Sequence, residues 1–363
     1  MKRAFAVLVL VLFAAFSGSP FIETSQKTVQ AARITTPPID EGLVSSSENS
    51  TQPVKAMHDW TLEEMAAARP YPVPEVSNRP EMTGPDPAFV EKLSRSTPGK
   101  IQALLPEDMG GSPDASGLDI SPAMANVGYT YPAPFSRYTD SDIYKREFPD
   151  KAIGKLFFWQ YGVPYVCSAV SIGNSAIWTA GHCIHTGDGT ENGWSYSAVF
   201  VPAYQNGKRP LGQYRVINFW VTDEWKNKAD YGRDFGGALV SRYKLKTLSR
   251  KVGALGFAWN QPLLQHWFEI GYPAEYPFDG SKQVVCAASY AYSDPNFTPE
   301  TMGIGCDQTA GTSGGPWILN YKNGNYLNGN MSYRYTGNSF EIFSPYFDDS
   351  AYNIYQILIN QNP

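Results

Sequence analysis

Three separated residues carry the chemistry this chain could do: His182, Asp234 and Ser313. A serine hydroxyl is a poor nucleophile at neutral pH and needs an imidazole within hydrogen-bonding reach to take its proton during attack. His182, in Thr179-Ala180-Gly181-His182-Cys183, is the candidate base. Glycines flank Ser313 in Gly311-Thr312-Ser313-Gly314-Gly315-Pro316 and let the backbone turn sharply. The amides of Gly311 and Ser313 can then point at an oxygen that gains negative charge. The imidazole needs a buried carboxylate to fix its tautomer and stabilise the imidazolium. Asp234 directly precedes the apolar run Phe235 to Val240 and is preferred to Asp230, four residues earlier in a more polar context. Acyl transfer through an ester on Ser313 is the expected reaction.

Taken singly, a glycine-rich turn or a core histidine would be unremarkable; their joint occurrence makes catalysis the better reading. Gly311-Thr312-Ser313-Gly314-Gly315 also fits the Gly-x-Ser-x-Gly elbow of α/β-hydrolases, in which the histidine follows the serine. All four histidines (His58, His182, His185 and His266) precede Ser313, so that order is excluded. A catalytically silent binding protein on the same scaffold is the alternative from another class. Such a protein has no chemical reason to keep all three residues and the glycine loop. No organic cofactor or metal is required.

The elements that must position these residues are short. From about Ile153, runs of aromatic and β-branched residues broken by Gly, Pro, Asn and Asp predict strands at Leu156–Tyr161, Tyr165–Ile172, Ala176–Thr179, Ser197–Val201, Tyr214–Val221 and Ala238–Val240. A second set is predicted at Gly253–Trp259, Trp267–Tyr272, Gln283–Tyr292, Trp317–Tyr321, Tyr326–Tyr333 and Phe340–Phe343, with a hairpin turn at Asn323-Gly324. An all-β sandwich or barrel follows. Only the tail is expected to be helical, where Ala351, Ile354, Tyr355, Leu358 and Ile359 share one face. No internal repeat is evident.

The first third reads differently. Met1-Lys2-Arg3 followed by thirteen apolar residues, Ala4 to Phe16, has the form of a secretory signal, too short to span a bilayer. Cleavage is expected between Ser19 and Ala31. Residues 33–136 hold fifteen of the 28 prolines and few apolar runs, as expected of a loosely structured pro-segment, with a plain linker or tether as the alternative. Cys167, Cys183, Cys286 and Cys306 are an even set in an exported chain, so two disulfides are expected. A zinc site is disfavoured because no Cys-x-x-Cys pair is present. At 363 residues and 42% hydrophobic content the chain can build a sizeable core. A net charge of −5 without a Lys/Arg block argues against nucleic acid.

Thr-Ala-Gly-His-Cys, an Asp before an apolar strand, and Gly-Thr-Ser-Gly-Gly-Pro, in that order, resemble the trypsin-like (chymotrypsin-fold) serine peptidases over about residues 150–363. Gly154 to Phe158, Gly271-Tyr272-Pro273 and Cys306-Asp307 look like the bacterial glutamyl-endopeptidase-like branch. The resemblance implies two six-stranded antiparallel β-barrels, residues 141–250 with His182 and Asp234 and 251–363 with Ser313 and a short C-terminal helix. Ahead of them would stand a signal (1–31) and a Pro-rich pro-segment (32–140). It implies a secreted, extracellular endopeptidase made as a precursor, acting on proteins or peptides, with its own pro-segment as a partner and no membrane span. Pairings Cys167–Cys183 and Cys286–Cys306 are implied likewise.

The pattern departs from the family in two places. Ser332-Tyr333-Arg334 resembles the pocket strand, but Arg334 stands where glycine is usual. Met331 replaces the histidine of glutamate-specific members. Asp307 could attract a basic side chain, pair with Arg334 or cap a turn, so preference for acidic or basic substrates stays open. Thr312 stands where animal relatives place the aspartate that binds a newly freed ammonium, so neutral hydrogen bonds and packing are expected to order this loop.

Overall fold

The computed structural model describes residues 40, 43–47, 58–80, 85–107, 133–139 and 147–363. The expected signal and the boundary placed at residue 140 lie outside the described residues. Upstream of the predicted strands the chain adds short strands β1 (Val44–Ser46), β2 (Arg69–Pro70), β3 (Glu75–Val76), β4 (Gly99–Ile101) and β5 (Ser136–Thr139). Two helices accompany them, α1 (Leu62–Ala67) and α2 (Pro87–Arg95).

This corrects the expectation of low order across 32–140 for the described stretches of that region. The local signals are real. Thr61 and Glu64 form a reciprocal capping box on α1, and α2 starts with Asp86 as cap and Pro87 in the first turn, where proline costs no hydrogen bond. Trp60, Met65, Val73, Phe89 and Ala103 are buried against the rest of the chain. Proline-rich composition hides this because each piece is too short to fold alone and gains its order from docking.

Strands β6 (Ile153–Gln160), β7 (Val163–Gly173), β8 (Ala176–Thr179), β9 (Tyr196–Pro202), β10 (Tyr214–Thr222) and β11 (Gly236–Val240) form a closed antiparallel barrel. Its order is β6-β7-β8-β11-β10-β9, and β9 pairs back onto β6. Two short helices, α3 (Asp223–Lys228) and α4 (Leu248–Val252), interrupt a region expected to lack helix. Thr222 caps α3 by accepting from the Trp225 amide at 3.0 Å. Six residues cover too few turns to leave a helical period in the sequence.

The second half contains β12 (Gly256–Trp259), β13 (His266–Gly271), β14 (Val284–Ser289), β15 (Tyr292–Asp294), β16 (Thr301–Gly305), β17 (Pro316–Leu319), β18 (Tyr326–Asn330), β19 (Arg334–Tyr335) and β20 (Glu341–Ser344). Antiparallel ladders join β14 to β13, β13 to β17 and β17 to β18, and another joins β16 to β20. The Tyr333–Phe343 bridge brings the chain after β18 onto β20. The Cys286–Cys306 disulfide ties β14 to the end of β16, with Cα atoms 5.7 Å apart. The result is the chymotrypsin-like double barrel, all-β apart from its few helices. Outside it, β12 pairs parallel with β18 and antiparallel with β4, β5 adds to β14, β1 to β10, β2 to β7 and β3 to β19. The tail forms α5 (Asp349–Ile359), and Tyr352 stacks on Trp259 at 3.8 Å between ring centroids. The second disulfide, Cys167–Cys183, links β7 to the turn after β8.

Replacing Cys286 and Cys306 together by alanine should lower the unfolding free energy by about 3 kcal/mol, the loop-entropy estimate for a closure of this length. The urea midpoint and slope report it, and an unchanged midpoint would contradict the staple role assigned to this bridge.

Candidate active site

Adjacent strands deliver the histidine and the aspartate. β8 and β11 pair with Thr179 opposite Gly236. Three residues beyond the first lies His182, in the 3-10 turn Gly181–Cys183, and two before the second lies Asp234, after the turn Tyr231–Arg233. Both side chains are buried, and Asp234 Oδ2 lies 2.7 Å from His182 Nδ1. Asp234 Oδ1 accepts from the His182 amide at 2.8 Å, and Ser332 Oγ donates to Oδ2 at 2.5 Å. A carboxylate removed from water needs such donors. The rival Asp230 instead caps its own turn, accepting from the Gly232 amide at 2.9 Å.

Ser313 sits between β16 and β17 in a loop pinned from the first barrel. Ser313 O accepts from the Ser168 amide at 2.8 Å, and Ser168 Oγ donates to Gly311 O at 3.0 Å. Gly311 and Gly314 have φ of +92° and +79°, the left-handed region. A Cβ on Gly314 would come within 2.0 Å of Thr179 Oγ1, so glycine there also lets the loop approach the histidine segment. Ser313 Oγ and His182 Nε2 are both buried without a hydrogen-bond partner. The other histidines are engaged elsewhere: His58 with Glu64, His185 with backbone groups at Gly187 and Thr190, and His266 with Ser289. Ser168 and the role of Ser332 as a donor to Asp234 escaped the sequence reading, since a lone serine carries no signal of its partner.

Solved structures with this architecture include a thermostable serine protease AL20 from an extremophilic microorganism, 33% identical, with a TM-score of 0.54 over 58% of this chain and 99% of that one. Another is the protease Anisep from Arthrobacter nicotinovorans, also 33% identical, with a TM-score of 0.53 over 58% of this chain and 97% of that one. The chain belongs to the chymotrypsin-fold serine proteases. A Glu endopeptidase solved with MPD shares the fold at 17% identity, with a TM-score of 0.51 over 62% of this chain and 97% of its own. No family model and no curated protein matches the chain.

In this serine protease the pocket candidates have specific partners. Asp307 pairs with Arg137 of β5, not with Arg334. Arg334 pairs with Glu75 of β3 at 3.0 Å. Tyr333 is fully buried, its hydroxyl bonded to Asp294 and, at 2.6 Å, to Thr301. Met331 is buried and its carbonyl accepts from the Gly314 amide at 2.8 Å. The Gly311 amide donates to the Tyr71 carbonyl at 3.1 Å, so an upstream residue reaches the serine loop.

Behind that loop lies Glu269, fully buried on β13. Thr312 Oγ1 is 3.0 Å from Glu269 Oε1 and 2.5 Å from Gln308 Oε1, and Gln308 Nε2 donates to Glu269 Oε2. A hydroxyl has one proton, so Thr312 can donate to only one of the two oxygens. With Glu269 protonated the set closes into a ring: Glu269 donates to Thr312, Thr312 to Gln308, and Gln308 to Glu269. Burial pushes the Glu269 carboxyl well above the usual carboxylate range despite these bonds.

Because the folded-state value is raised, the stability linked to Glu269 is complete below the unfolded carboxylate range, about pH 4, and is lost as pH rises toward the folded value. Glu269→Gln removes that titration. The stability of the variant relative to wild type should therefore improve between about pH 5 and about pH 8, measured by urea unfolding at both. A difference independent of pH would mean that Glu269 is ionised in the folded protein.

Proposed function

We propose that this protease is a secreted endopeptidase that hydrolyses peptide bonds through an acyl-enzyme, with His182, Asp234 and Ser313 as its triad. One observation carries the reading. His182 is held through Nδ1 by a buried carboxylate, while its Nε2 and the Ser313 hydroxyl are the buried, unpartnered atoms that the reaction needs.

Ser313 Oγ attacks the scissile carbonyl as His182 Nε2 takes its proton, and Asp234 stabilises the resulting imidazolium. The carbonyl oxygen, now negative, accepts from the amides of Gly311 and Ser313. Collapse expels the amine, which receives the proton from His182, and leaves an ester on Ser313. Water then attacks the ester, His182 taking its proton and returning it to Ser313 Oγ, so the acid is released and the enzyme is restored. Ser332 is a positioning residue that holds Asp234.

Export is supported by the charged, apolar and small-residue order of Met1 to Ala31 and by two disulfides. A precursor is supported by the upstream chain, which docks on both barrels through β2 and β3.

After removal of the upstream region, the protein should react with a fluorophosphonate probe at Ser313, and Ser313→Ala should not. Asp234→Asn should lower kcat on a peptide substrate by roughly 10⁴ without unfolding the chain, the size expected when the imidazole loses its orienting carboxylate. Full activity in either variant would remove these residues from the mechanism.

A further inference from the structure

The segment Arg69-Pro70-Tyr71-Pro72-Val73-Pro74-Glu75-Val76 runs over the site from one barrel to the other. At its start, β2 pairs parallel with β7, Arg69 opposite Tyr165, and the Tyr71 amide donates to Val166 O at 2.9 Å. At its end, β3 pairs parallel with β19, where Pro74 O accepts from the Arg334 amide at 3.0 Å and Val76 O from the Thr336 amide at 3.1 Å. Between them, Tyr71 O accepts from the Gly311 amide, and the Tyr71 ring lies 5.2 Å from the His182 ring. Val73 is 5% exposed, within the apolar cluster that contains Met331 and Cys306. Glu75 neutralises Arg334.

A tether needs none of this, and its composition fits the cleft. Prolines at every second position, 70, 72 and 74, remove backbone donors and leave a strap rich in acceptors. The cleft presents donors: the amides of Gly311, Arg334 and Thr336. Fixed φ at each proline also lowers the entropy lost when the strap is laid down.

We propose that Arg69–Val76 is an internal inhibitor, which holds the precursor silent by seating the Tyr71 carbonyl on the Gly311 amide and covering the face of His182. The proposal rests on the catalytic reading above. A substrate oxygen and the Tyr71 oxygen compete for the same donor, so the two cannot be bound together. The bond after Tyr71 ends on Pro72, whose ring nitrogen is a constrained leaving group, and the strap therefore persists beside the nucleophile. Activation requires the strap to leave, which a cut in the chain between it and the barrels permits.

The test compares fluorophosphonate labelling of full-length wild type, full-length Val73→Asp/Glu75→Arg, full-length Glu75→Lys, and the chain cleaved after the strap. The double variant puts a charge into an apolar cluster and a cation beside Arg334. It should label roughly tenfold faster than full-length wild type or more, as expected when the open fraction of the chain sets the apparent rate. Glu75→Lys should shift the rate in the same direction by less, and it keeps the test decisive if the double variant misfolds. Equal rates in all forms, or variants as slow as wild type while the cleaved chain is fast, would overturn the proposal. If no form labels, the catalytic reading fails instead, and hydrogen exchange at the Gly311 amide decides the strap: slow in wild type and fast in the variants supports it, equal rates refute it.

Discussion

A carboxylate with no contact to water has to be satisfied by the protein, and the arrangement of this molecule follows from how Asp234 meets that demand. Its donors come from three places: the His182 backbone, the His182 ring and the Ser332 hydroxyl. The first two belong to the closed barrel and the third to the second half. Leaving a buried charge without one of its partners costs several kcal/mol, so the two halves are locked across the cleft at the point where the chemistry is proposed. The Asp234 carbonyl strengthens the lock by accepting from Asn330 Nδ2 at 3.2 Å.

Ser168 does for the nucleophile loop what Ser332 does for the carboxylate. It lies in β7 next to Cys167, whose disulfide to Cys183 holds the histidine turn. Its amide and hydroxyl bind Ser313 O and Gly311 O, and its hydroxyl also accepts from the Tyr272 amide at 2.9 Å. One strand of the first barrel thus carries both the staple for the His182 turn and the pins for the Ser313 loop. Glu269 completes the support from the far side: a second buried carboxyl, which burial pushes toward the protonated form that closes a neutral ring with Thr312 and Gln308. Thr312, unlike an aspartate, suits that solution because it brings no charge of its own into the interior.

The upstream chain complicates a division into scaffold and spare sequence. It supplies the partner of Arg334 in Glu75 and that of Asp307 in Arg137. Both charged pocket candidates are neutralised in this state by residues that precede the barrels. Substrate preference read from either charge alone would describe a molecule from which those partners have gone.

Sequence alone pointed to the residues proposed here as the triad. His182, Asp234 and Ser313 stand out because a candidate nucleophile, a candidate base and a glycine loop occur together, and the barrel strands because a half-buried strand needs apolar residues at short, regular spacing. It also yielded the pairings of the four cysteines by resemblance. It did not reveal β16, where Thr301-Met302-Gly303-Ile304-Gly305 is too poor in large side chains to read as a strand. The order in residues 58–80 and 85–107 was hidden too, because pieces of six to nine residues with many prolines have no stability apart from the surface they dock on. Ser168, Ser332, Glu269 and the Tyr71 carbonyl were decided only by tertiary structure. Their roles come from which atom lies about 3 Å away, and a serine hydroxyl or a backbone oxygen looks the same in sequence wherever it points.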